Sequence, residues 1–174
     1  MKNDSEIYRS NKLNLLIAAF ILLAVNLGCN FSCGNFTPSK PDMPSTEQQN
    51  TLVKQTLKEF TKGIESGDFS SFMSNVSKEF QASASADKMK NAFQGMIDKK
   101  DILVPILQSA DSKTPQFSKT PSISEAGSNY TMQLAGVFPT DPLKTNFDFT
   151  YIRNDSEWKL VTIEVNITGK SDSK

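Results

Sequence analysis

The chain has 174 residues, with 19 Lys plus Arg against 19 Asp plus Glu, two cysteines and no histidine. Balanced charge excludes a global field that would gather nucleic acid or an anionic surface, so no nucleic-acid partner is expected. Lack of His removes the commonest general base near neutral pH and the commonest transition-metal ligand, and both cysteines precede the region that looks folded.

In chain order, residues 1–12 carry Lys2, Arg9 and Lys12 against Asp4 and Glu6, and lead into an apolar run over residues 13–27. As a helix this run would reach about 22 Å, against about 30 Å of bilayer hydrocarbon. Its length and flanks fit a secretory signal better than a permanent membrane span. The run closes on Gly28-Cys29. A small residue and a Cys directly after such a run resemble the lipobox of bacterial lipoproteins. The resemblance covers residues 13–29 and departs from the family pattern at Asn26, where Leu or another aliphatic is usual. It implies a signal peptide over residues 1–28, lipid attachment at Cys29, and a protein anchored on the extracytoplasmic side of a membrane in the cell envelope. The alternative for the same residues is an uncleaved signal anchor with an incidental Cys, and either places the domain outside the cytoplasm. Cys33 follows Asn30-Phe31-Ser32, which is not apolar, and receives no role.

Residues 29–45 then form the lipidated Cys and a flexible tether, with Pro38, Pro41 and Pro44 and no apolar period. Sixteen or so residues of this kind reach roughly 20–25 Å, enough to hold a domain just clear of a lipid surface. Asn-x-Ser/Thr triplets begin at Asn3, Asn30, Asn35, Asn75, Asn129, Asn154 and Asn166. They would be glycan acceptors in a eukaryotic secretory route, but an Asn- and Ser-rich chain produces them by chance.

One α+β domain is expected over residues 46–168, followed by a disordered tail at 169–174. Ser45 or Thr46, with Gln48 or Gln49 three residues on, forms an approximate capping box. Val53, Leu57, Phe60 and Ile64 recur at helical spacing behind it. Gly67 suits a left-handed helix end, and Asp68 can cap a second helix with the stripe Phe69, Phe72, Met73 and Val76. A third helix from about Ser85 presents Met89, Ala92, Phe93, Met96 and Ile97. The apolar stretch 102–107 is interrupted by Pro105 and fits either a helical turn or the entry to a sheet. From about Gln116 the apolar period changes from 3.6 to 2. Strands are predicted over 116–125, 129–138, 145–153 and 157–167, joined by turn-forming segments into an antiparallel meander. Phe147, Phe149 and Tyr151 share one strand face, and Val161, Ile163, Val165 and Ile167 share one face of the neighbour.

This order, with the turn Ser66-Gly67-Asp68-Phe69 between the first two helices and Glu157-Trp158-Lys159-Leu160-Val161 in the last strand, resembles the NTF2-like, cystatin-like α+β superfamily over about residues 46–168. The resemblance implies three N-terminal helices packed against a curved four-stranded antiparallel sheet, a cone whose open end often holds a pocket. Fold of this kind does not carry function by itself. Enzymes of the superfamily that move protons use a carboxylate, His or Tyr inside the cone. Strand parity turns Asp148 away from the cone and turns Tyr130 and Tyr151 into it, so these two tyrosines are the candidate ligand-pocket residues. The simpler account of each is a ring in the core with its hydroxyl at the rim.

No catalytic, cofactor-binding or metal-ligating residue is assigned. Lys88-Met89-Lys90 and Lys99-Lys100-Asp101 read as solvated helix faces, and Asp141 and Asp155 as turn formers. The expectation is a noncatalytic binding or interaction domain whose partner is an envelope protein or a small ligand; the alternative is an envelope enzyme or small-ligand carrier using the cone. A homodimer through the outer sheet face is also expected, because Ala135, Val137, Ile152, Trp158 and Leu160 fall together there by parity.

Overall fold

The first helix is opened by Ser45, whose hydroxyl accepts the Gln48 N–H at 3.2 Å while the Gln48 side chain accepts the Ser45 N–H at 2.8 Å, a reciprocal capping box. In the computed structural model, which describes residues 39–154 and 156–169, this helix, α1, runs over Thr46–Ser66. It buries Val53, Leu57, Phe60 and Ile64 as their spacing requires, and ends at Gly67, whose φ of 70° is left-handed. The apolar run of residues 13–27, Cys29, Cys33, most of the tether and the tail from residue 170 lie outside the described residues.

Asp68 turns the chain into α2, Ser70–Asn75, by accepting the Ser70 N–H at 2.9 Å. The bonds from Ser70, the hydroxyl before the backbone, hold its carboxyl below the usual carboxylate range. Then come α3 (Lys78–Ser83), α4 (Ala86–Ala92), α5 (Gln94–Ile97) and α6 (Lys100–Ser109). The expected count of three helices is therefore corrected to six among the described residues. A single helix from Ser85 is in fact α4 and α5, which meet at Phe93. The short α3, capped by Ser77 and burying Phe80, offers too few residues for a period to show. The stretch around Pro105 is helical: Pro105 is exposed, so the missing N–H leaves a carbonyl that water can reach.

Five strands complete the domain: β1 (Gln116–Phe117), β2 (Ser122–Ala126), β3 (Asn129–Phe138), β4 (Leu143–Asn154) and β5 (Glu157–Gly169). All pairings are antiparallel, in the order β1-β3-β4-β5 with β2 also beside β3. The expected strand over 116–125 is thus two short strands along one edge of β3. Pro121 lies in the interruption and has no N–H to give to the ladder.

The helices and one sheet face form a continuous core, with Phe60 and Phe93 edge-on at 4.8 Å and Phe147 beside both Phe138 and Phe149 at 5.3 Å. Among the described residues no helix is long and apolar enough to cross a membrane.

The β4–β5 ladder is interrupted once. From Thr145↔Ile167 to Thr150↔Thr162 the pairing is regular; then Tyr151 pairs with Leu160, which leaves Val161 as an extra residue. A one-residue slip exchanges the two faces of a strand. Trp158 and Leu160, assigned by parity to the outer face, accordingly lie on the inner face with Tyr151. Leu160 is part of the core and Trp158 packs against it. The Leu160 carbonyl accepts the Ser77 N–H at 2.9 Å, docking the start of α3 on the bulge.

Candidate functional site

Beyond the bulge, a cavity of about 290 Å³ lies between the ends of β4 and β5, α1 and the end of α2. Its α1 wall is made by Leu52, Gln55, Thr56 and Glu59, spaced i, i+3, i+4 and i+7, which is the helical stripe beside the core stripe. Tyr151, Trp158 and Leu160 form the sheet wall. Phe72, Asn75 and Val76 close the end.

Tyr151 is the most constrained of these groups. It is 1% exposed, its hydroxyl lies 2.9 Å from Thr56 Oγ1, and burial pushes its pKa up against the opposing pull of the Thr56 bond. Glu59 is bonded to Lys62 at 2.6 Å on α1, and Lys159 to Glu157 at 2.8 Å on β5. Trp158 pairs across the ladder with Arg153, whose guanidinium stands 5.4 Å from the indole centre. The indole Nε1–H is sealed from solvent and has no hydrogen-bond partner among the described residues. Buried donors are rarely left so.

Of the two tyrosines expected in one pocket, only Tyr151 lines this cavity. Tyr130 is half-buried against the core and pairs with Glu125 of β2; β4 separates β3 from the cavity, whose sheet wall comes from β4 and β5. Asp148 points away from the core between the buried Phe147 and Phe149, and both its oxygens accept from Gln133 Nε2, at 2.8 and 2.9 Å. The outer-face patch loses Trp158 and Leu160; of its remaining members Ala135 and Ile152 are already buried within one chain and Val137 is half-buried. Lys88, Lys90, Lys99 and Lys100 are exposed on the helices, with Lys100 Nζ bonded to the Glu65 carbonyl. Among the described residues no group of three or more Asp, Glu, His or Cys is arranged to hold a metal ion.

Gln55, Thr56, Glu59 and Trp158 were not singled out as site residues by the sequence. The α1 residues carry a weak signal, uncharged or polar groups on the stripe flanking the core. Trp158 carries none, because parity counted back from Ile167 puts it on the wrong face. No protein-family model matches the chain, and no curated protein matches it.

Proposed function

We propose that this chain is an exported lipoprotein, anchored through Cys29 on the extracytoplasmic side of a membrane, whose domain binds a small ligand without transforming it. The anchor rests on the apolar run ending at Gly28-Cys29. We propose further that the fold is NTF2-like. Support comes from the helices-first order, the Gly67-Asp68 turn, and the bulge in β5 at Val161, since a bulge bends its strand as a curling sheet needs.

The observation that carries the binding role is the cavity beyond the bulge, a recess on which Gln55, Thr56, Glu59, Asn75 and Lys159 converge above the nearly buried Phe72, Val76 and Leu160; concave sites with convergent polar groups are the first candidates for small-ligand binding. Its titratable groups are held in bonds of their own. Tyr151 is kept neutral by burial and tied to Thr56, and Glu59 and Lys159 each pair with a neighbour. A general base works best with a pKa near the operating pH, and Tyr151 is shifted away from it.

Two measurements test this. Mass spectrometry and membrane fractionation of the parent and of Cys29→Ser should show an acylated Cys29 in the parent and release of the variant; an unmodified Cys29 with full retention of the variant refutes the anchor. The purified full-length chain, screened against isomerase, dehydratase and hydrolase substrates, should bind some through a raised melting midpoint and turn over none. Turnover that vanishes in Tyr151→Phe would make the cavity an active site.

A further inference from the structure

Resting on the proposed binding role, we infer that the cavity beyond the bulge is a site for one neutral, polyhydroxylated ring, a monosaccharide unit. Size comes first. At about 290 Å³ the cavity stands at the lower end of small-ligand pockets, which span about 300–1,000 Å³, so it holds one ring rather than an oligomer. Charge comes second. Glu59 disfavours an anion, while Lys159 on the rim and Arg153 over Trp158 disfavour a cation. The pairings of Glu59 with Lys62 and of Lys159 with Glu157 leave neither charge in want of a counter-ion.

Functional-group pattern decides between neutral ligands. The Gln55 amide offers a donor and an acceptor, Asn75 offers its Oδ1 and the one amide hydrogen not given to the Ser71 carbonyl, Glu59 accepts, and the Trp158 N–H, sealed from the cavity, lacks an acceptor. A purely apolar ligand would cover the Gln55, Asn75 and Glu59 groups without pairing them, at a cost. A hydroxyl both donates and accepts, and a ring bearing several of them also presents a C–H face to Trp158. Because the indole N–H is sealed, a ligand oxygen reaches it only if the ring or the Arg153 guanidinium shifts. Ligand entry would therefore change the environment of Trp158, the chain's sole tryptophan.

The test titrates the full-length chain, in a detergent without a sugar headgroup, with glucose, N-acetylglucosamine, glucuronate and glucosamine while tryptophan emission is followed. A saturable change is expected with at least one neutral sugar, at about millimolar concentration. The charged sugars should bind about tenfold more weakly, and Gln55→Leu and Glu59→Ala should each weaken the neutral sugar about tenfold with an unchanged melting midpoint. No saturable change with either neutral sugar, or charged sugars that bind as well, overturns the inference. So does sugar binding indifferent to both substitutions, which puts the sugar elsewhere. A parallel melting panel of amino acids, nucleosides and dicarboxylates separates the two levels. A hit there that both variants abolish sinks the sugar and keeps the binding role, whereas silence from every class sinks both.

Discussion

Two stretches of the same β4–β5 ladder behave differently. From Thr145 to Thr150, paired with Ile167 to Thr162, alternation is strict and the inner face is filled by Phe147, Phe149, Ile163 and Val165, packed under the helices. From Tyr151 to Asn154, paired with Leu160 to Glu157, the inner face carries Tyr151, Leu160, Trp158 and Arg153 and borders the cavity. The boundary is the one extra residue, Val161. A regular ladder lets side chains interlock with the layer above and close the core; a bulge bends the strand and re-aims the side chains beyond it. One strand pair thereby supplies a rigid base and a recess at its end, with the helix layer stapled at the junction through Ser77 and the Leu160 carbonyl.

The base should be the more sensitive half. Phe149 has no exposure and its ring stacks near Phe147. Phe149→Ala should cost about 3–5 kcal/mol in urea unfolding, the range for deleting a buried aromatic ring. A loss under about 1 kcal/mol would mean that the core is not where the regular ladder puts it. Next in size is Leu160→Lys, just beyond the bulge. With Leu160 inward and 4% exposed, an unpaired ammonium must be buried or must reach out through the cavity, and about 3 kcal/mol should be lost. If strand parity ran unbroken to Trp158, the same lysine would sit on the outer face and cost within about 0.5 kcal/mol. The measurement thus tests the bulge directly.

The same boundary marks where the sequence stops being legible. α1 was legible almost throughout, because Ser45 or Thr46 with Gln48 or Gln49 placed its start to within a residue, four apolar residues at helical spacing fixed its face, and Gly67 fixed its end. The inner face of the regular ladder was readable for the same reason, a strict period of 2 over Thr145–Thr150. The α3 helix was not, since one turn around Phe80 leaves no period to detect. The fate of Trp158 and Leu160 was not either. A bulge of this kind needs no Gly or Pro to announce it, and Lys159-Leu160-Val161-Thr162 is ordinary strand sequence. Its signature lies in the partner: Ser77 takes up the Leu160 carbonyl from a residue far away in the chain. Tyr151 was expected to face inward from its strand, and it does; its pairing with Thr56 depends on how α1 lies across the sheet, which no local pattern encodes.

The smallest effect, and the one that separates the two regions most finely, belongs to Tyr151, the first inner-face residue past the bulge. Near neutral pH, Tyr151→Phe removes one hydrogen bond and leaves the half-buried Thr56 hydroxyl able to find water, so about 1 kcal/mol should be lost. Alkaline pH should reverse the order. Burial raises the Tyr151 pKa above its ordinary value of 10.0, so the folded chain keeps a proton that the unfolded chain gives up. The stability tied to this group is complete below the unfolded value and is lost as pH rises through it toward the folded one. The slope is about 1.4 kcal/mol per pH unit for one proton. Phe at the same position has no proton to lose, and every other group is common to the two proteins and cancels in the difference. Urea unfolding of parent and variant from about pH 7 to 11.5 should therefore show a gap that is constant to about pH 9, closes between about pH 10 and 11 and then changes sign. Parallel curves throughout would place the Tyr151 hydroxyl in contact with water. The wall beyond the bulge would then be open at its base, and the contrast between a sealed and a receiving half of the ladder would fail at the residue where it begins.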